Sequence, residues 1–206
     1  MSGTIDDMNR MGVVNKFWGV CGFTSTFYSM YELNPAKRPL LINAGIATRV
    51  LAEIKTYLVM LQAEGKFGLL KEIEAFTQSF GVVGKCDFSK WTIDGYIKHI
   101  NTAVDKDDAT IQGDCSYSIG MPPQGVADYV TRMWEYKAEV QVVSGGSGDT
   151  GDGIIGVSKG LMPLYDGLCH YMYRLNGKIY SWGKQFNSVA EANAQYKVVR
   201  LIKISP

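Results

Sequence analysis

Leu168-Cys-His-Tyr-Met-Tyr-Arg-Leu-Asn-Gly-Lys-Ile-Tyr-Ser-Trp-Gly183 decides the fold class. Asn176-Gly177 is the dipeptide that best tolerates positive φ at both central positions of a two-residue turn, so the flanking segments are predicted to pair as an antiparallel hairpin. The predicted register sets Leu175 against Lys178, Arg174 against Ile179, Tyr173 against Tyr180, Met172 against Ser181, Tyr171 against Trp182 and His170 against Gly183. Strand alternation then puts His170, Met172 and Arg174 on one face with Ser181, Gly183 and Gln185. Tyr171, Tyr173, Tyr180 and Trp182 take the other.

The neighbouring segments extend the β region. Ser188-Val-Ala-Glu191 reads as a capping box opening a helix through about Tyr196, and 197–204 as an apolar closing strand. On the upstream side, 139–143 alternates like a strand and 154–157 is a short apolar strand or helix. Between them, 144–153 holds five glycines in ten residues and reads as a flexible surface loop. No Gly-Lys-Ser/Thr follows it to make a phosphate cradle, and Asp149 with Asp152 are too few to specify calcium.

The first two thirds have a helical texture. Apolar spacing predicts helices over 43–61, 69–80 (ended by Gly81), from Asp94 as N-cap to about 104, and over 125–136 behind Pro122-Pro123. Residues 1–12 read as a polar arm, 84–91 as a polar linker, and Asp105–Asp108 as a solvated charge run. Helices first and antiparallel strands last make the chain α+β, one domain with a helical lobe over 13–136 and a β-rich lobe over 137–206.

Composition limits function. The chain has 206 residues, 21 Lys plus Arg against 20 Asp plus Glu, and 46% hydrophobic residues, as an ordinary globular protein does. A net charge of +1 leaves no concentrated basic footprint for nucleic acid. No apolar run reaches membrane-spanning length, and the first residues lack the basic and apolar regions of a cleavable signal, so any secretion is expected to proceed without one. The four cysteines, at 21, 86, 115 and 169, contain no Cys-x-x-Cys pair, which disfavours a zinc knuckle. All four are expected as reduced thiols. No cofactor or metal is implied. The two histidines are His99, inside a predicted helix and read as structural, and His170.

Trp18-Gly-Val-Cys21-Gly-Phe-Thr-Ser opens another predicted helix, with Phe23, Phe27, Met30 and Tyr31 on one face. Cys21 falls in its first turn, where unpaired N–H groups and the helix dipole favour a thiolate. Gly19 and Gly22 leave room for a backbone or a substrate. Taken alone, Cys21 fits a small packed residue; with His170 at a strand start it fits a nucleophile and base.

This combination resembles the papain-like cysteine peptidases. The resemblance rests on Asn15 six residues before Cys21, the Trp18–Ser25 run, a histidine opening a late strand, and Ser181-Trp182-Gly183 after it. Gly120-Met-Pro-Pro-Gln-Gly and the histidine hairpin are similar to the bacterial branch, which includes bacteriocin-processing peptidases and secreted effector proteases. The motifs cover about thirty residues. The resemblance implies Cys21 as nucleophile, His170 as general base and acid, Asn15 in the oxyanion hole, and Trp18, Gly19 and Trp182 against substrate. Two positions depart from the family pattern. Asn15 stands where Gln is usual, and Tyr180 stands where an Asn orients the histidine. For the orienting role Ser181, Gln185, Asn187 and an acidic residue such as Asp166 remain open, as does a Cys/His dyad. The implied function is cleavage of a peptide or amide bond, as a bacterial effector or toxin whose partners would be a protein or peptide substrate, a cognate immunity protein and secretion machinery. Glutamine deamidation or acyl transfer and peptidoglycan amidase activity share the same groups. A non-catalytic binding module is the alternative of another class.

Overall fold

The computed structural model describes residues 19–34, 36, 46–144 and 151–206. Its helices are α1 (Cys21–Leu33), α2 (Ile46–Ala63), α3 (Phe67–Gln78), α4 (Ile93–Ile100), α5 (Asp108–Gln112), α6 (Pro123–Trp134) and the short α7 (Val189–Ala192). The strands are β1 (Val82–Val83), β2 (Cys86–Asp87), β3 (Lys137–Val142), β4 (Gly153–Ser158), β5 (Leu168–Leu175), β6 (Lys178–Ser181), β7 (Lys184–Phe186) and β8 (Lys197–Ser205). The main sheet runs β3-β8-β4-β5-β6-β7, and every neighbouring pair is antiparallel. Helices dominate before Trp134 and strands after it, which is the α+β segregation expected. Among the described residues no helix is long and apolar enough to cross a membrane.

α1 departs from its expected one-sided character. Every residue from Gly22 to Tyr31 is buried, so this is a central helix and not a surface one. Threonine and serine hydroxyls bond within the helix: Thr26 Oγ1 donates to Gly22 O at 2.9 Å and Ser29 Oγ to Thr26 O at 2.8 Å. Such bonds let Ser and Thr occupy a core without stranded polar groups. Phe23 meets Tyr129 edge-on at 4.7 Å, and Phe27 meets Trp134 at 5.8 Å. One contiguous core joins α1, α2, α3, α4 and α6 to Ile154, Tyr171, Tyr173 and Ile202 of the sheet. A smaller apolar cluster of Ile155, Met172, Ile179 and Leu201 lies among the strands themselves.

Several expected boundaries shift. The supposed polar linker contains the β1–β2 hairpin, and Cys86 is disulfide-bonded to Cys115, so the expectation of four reduced thiols is overturned. A 29-residue separation and no local cysteine pattern hide that pairing, which tertiary proximity creates. Thr92 rather than Asp94 caps α4, accepting from Gly95 N, and the α-helix ends at Ile100 with a 3₁₀ turn following. The 105–108 charge run is partly structural: Asp107 caps α5 and Asp108 accepts from Ala47 N at 3.0 Å. Ser188 does accept from Glu191 N, but α7 stops at Ala192, well short of Tyr196.

The hairpin pairs Leu175 with Lys178, Arg174 with Ile179 and Tyr173 with Tyr180, in the expected register. Beyond Tyr180 the expected register ends. Trp182 and Gly183 adopt φ of 49° and 68°, turning the chain so that β7 pairs back on β6. A second two-residue turn therefore replaces the continuing strand. Of the glycine-rich stretch, 145–150 lie outside the described residues; Asp152 Oδ1 accepts from Asn176 N at 2.8 Å, which commits it to the first turn.

Candidate functional site

Cys21 is the first residue of α1, and its N-cap, Val20, offers no side-chain bond. The backbone amide of Tyr171 on β5 donates to the Cys21 sulfur, so the helix start touches the strand immediately beyond His170. Gly19 carries φ of 59°, and a Cβ there would sit 2.9 Å from Ser118 Cβ. Ile119 N donates to Gly19 O at 3.3 Å, so this glycine admits a neighbouring backbone.

His170 lies on β5 beside a bulge: Val157 pairs with His170 and Ser158 with Leu168, leaving Cys169 as the extra residue. The imidazole is 8% exposed, and its Nε2 is 2.8 Å from Ser181 Oγ, itself 4% exposed. Trp182 stacks on the ring at 4.5 Å and 7°, with Tyr196 further out at 6.2 Å. Trp182 was expected on the opposite face; the left-handed turn at 182–183 folds it back over the histidine. Tyr180 does face away, its ring tilted against those of Tyr28 and Tyr173.

Electrostatics reverse the thiolate expectation. Burial pushes the Cys21 thiol up to about 11, although amide donors from Tyr171 and Gly22 oppose the rise. Burial first, and the Lys159 charge second, push His170 down to about 3. The helix start is real, but desolvation outweighs its dipole. At neutral pH both groups are uncharged.

Cys21 and His170 open onto one cavity of about 400 Å³. Phe76, Phe80, Phe88 and Val83 form an apolar part of its wall, and 118–121 form another. That second wall is pinned from four sides. Tyr96 Oη donates to Tyr117 O, Trp91 Nε1 to Ser118 O, Tyr171 Oη to Met121 O, and Thr77 Oγ1 exchanges bonds with Gly120. The Cys86–Cys115 bridge ties the β1–β2 hairpin to the start of this segment.

Of the residues named from sequence, Cys21, His170, Gly19 and Trp182 line the cavity, and Ser181 touches His170. Gln185 is not brought to the histidine: it is exposed on β7 opposite Tyr180, because the second turn diverts the chain. Asn187 accepts from Lys178 Nζ at 2.6 Å and Asp166 pairs with Arg200 at 2.6 Å, so both are committed elsewhere. Asn15 and Trp18 lie outside the described residues. His99 packs its ring, tilted, against Tyr117 at 4.6 Å, a structural placement. Sequence reasoning passed over Cys169, Tyr196 and Lys159, whose positions depend on the β4–β5 pairing and carry no local signal. Among the described residues no group of three or more His, Cys, Asp or Glu side chains gathers to hold a metal. Comparison of the chain with protein-family models, with curated protein sequences and with solved structures returned no match.

Proposed function

We propose that the protein is a thiol hydrolase that cleaves a peptide or amide bond, of papain-like type and fitted to act as a bacterial effector or toxin. The observation that carries this reading is that Cys21, at a helix start, and His170, with one ring nitrogen held by Ser181, share a cavity. With Nε2 donating to Ser181 Oγ, Nδ1 is the nitrogen left to accept the thiol proton. The rings of Trp182 and Tyr196 keep water from the imidazole.

The uncharged resting state shapes the mechanism. A thiolate–imidazolium pair at about 4 Å gains roughly 4 kcal/mol at an effective dielectric of about 20. The gap between pKa values of about 3 and about 11, at about 1.4 kcal/mol per unit, is larger. The proton therefore leaves sulfur as the C–S bond forms, when negative charge moves to the substrate oxygen. The Cys21 amide, and on the resemblance the Asn15 side chain, receive that charge. His170 returns the proton to the leaving amine, and water or another amine resolves the acyl-enzyme.

The test is turnover of a degenerate quenched-peptide mixture and of muropeptides by wild type, Cys21→Ser and His170→Ala. Turnover by wild type and by neither variant is expected. Turnover retained in Cys21→Ser sinks the reading. The neutral resting state is also what a non-catalytic binding module would have, and specific capture of a ligand by Cys21→Ser, with no turnover of it by wild type, would favour that module.

A further inference from the structure

We propose that Lys159 selects substrates carrying a carboxylate on the leaving-amine side of the scissile bond, an inference that rests on the hydrolase reading above. Among the described residues no Asp, Glu, Lys or Arg lines the cavity, so a charge beside it determines which charged substrates are accepted. The charged side chain that acts on His170 is that of Lys159. Its Nζ lies 5.2 Å from the centroid of the Tyr196 ring, which itself lines the cavity and stacks beside His170. The same ammonium acts electrostatically on both His170 and Cys169.

The position of Lys159 is built. Its backbone amide donates to the Cys169 sulfur, and Gly160 N donates to the buried Ser158 Oγ at 2.8 Å. The β4 end therefore holds this residue beside the β5 bulge, while its side chain is exposed to solvent. Among the described residues it forms no ion pair. The direction follows from the chemistry. The substrate oxygen must point to the α1 start, while the leaving nitrogen must meet His170, which protonates it as the C–N bond breaks. Whatever is attached to that nitrogen departs past His170 and Tyr196, toward Lys159. A carboxylate there meets a cation; an ammonium meets repulsion.

The shared chemistry has two sources, a chain-terminal carboxylate or an acidic side chain just after the scissile bond. Iodoacetyl amides reproduce the leaving side, since Cys21 displaces iodide and holds the amide's substituent beyond His170. The probes are iodoacetyl-glycine, with a terminal carboxylate; iodoacetyl-aspartic acid α-amide, with only its side-chain carboxylate free; the neutral iodoacetyl-glycinamide; and the cationic iodoacetyl-ethylenediamine. Rates are read by intact mass in a Cys169→Ser background. We expect anionic probes to exceed the neutral one by about threefold, the range of a solvent-exposed charge pair, with the advantage shrinking in salt. Lys159→Gln should abolish the ratio and Lys159→Glu invert it in favour of the cationic probe. Equal ratios in all three proteins overturn the proposal. The stronger of the two anionic probes identifies the carboxylate source. Ratios that follow Lys159 while His170→Ala changes no rate would leave Lys159 as an anion selector and remove the hydrolase reading.

Discussion

Acidification should destabilise this fold through His170 by an amount the site itself fixes. Its pKa falls from 6.5 to about 3 on folding because burial, helped by Lys159, excludes the imidazolium. The unfolded chain therefore binds a proton that the folded one refuses. Stability from this group is complete above pH 6.5 and is lost as pH falls towards about 3. Each pH unit in that window costs about 1.4 kcal/mol, so about 2.7 kcal/mol is gone by about pH 4.5, with a ceiling near 5 kcal/mol. Carboxylates titrate in the same range, so the assay compares wild type with His170→Gln, which shares every other group. Between about pH 6.5 and about pH 4.5, urea unfolding should show the wild-type advantage falling by roughly 2–3 kcal/mol. A difference that stays constant within about 0.5 kcal/mol across that range would refute the burial argument.

Other predictions test separate parts. With its thiol pushed from 9.0 to about 11, Cys21 should react with iodoacetamide about a hundredfold more slowly than an unperturbed thiol near neutrality. Its rate should climb with pH to about 10 without an acidic plateau; a plateau below about pH 7 would mean a preformed thiolate. Ser181→Ala leaves the buried His170 Nε2 without its partner and should cost about 1–3 kcal/mol in urea; an unchanged midpoint would mean that the bond contributes nothing. Opening the 29-residue Cys86–Cys115 link, by Cys86→Ser with Cys115→Ser, should cost about 3–4 kcal/mol by the loop-entropy relation. A melting curve that does not move would show the reduced chain to be equally constrained.

What the sequence reveals here follows the range of the interaction. Asn176-Gly177 sets the β5–β6 register because the information lies in two adjacent residues. Trp182 escapes the same reasoning, since a tryptophan at φ of 49° is held there by its stack on His170 and not by its own preference. Cys21 is legible as a helix start, yet its protonation is not, because burial depends on β5 and on segment 118–121. Thr24, Thr26 and Ser29 are buried on α1 and bond to its own turns, which a pattern of apolar spacing does not register. Cys86 and Lys159 are fixed by partners far along the chain, which no local pattern encodes.

The disulfide and the two free thiols share a cavity wall. An environment that oxidises Cys86 and Cys115 also caps an exposed reactive thiolate. With a pKa of about 11, only about one Cys21 in ten thousand is ionised near neutral pH, which slows exchange with any passing disulfide. The burial that makes attack on a substrate harder thus also works as a preservative, keeping the sulfur reduced until something fills the cavity and changes its surroundings.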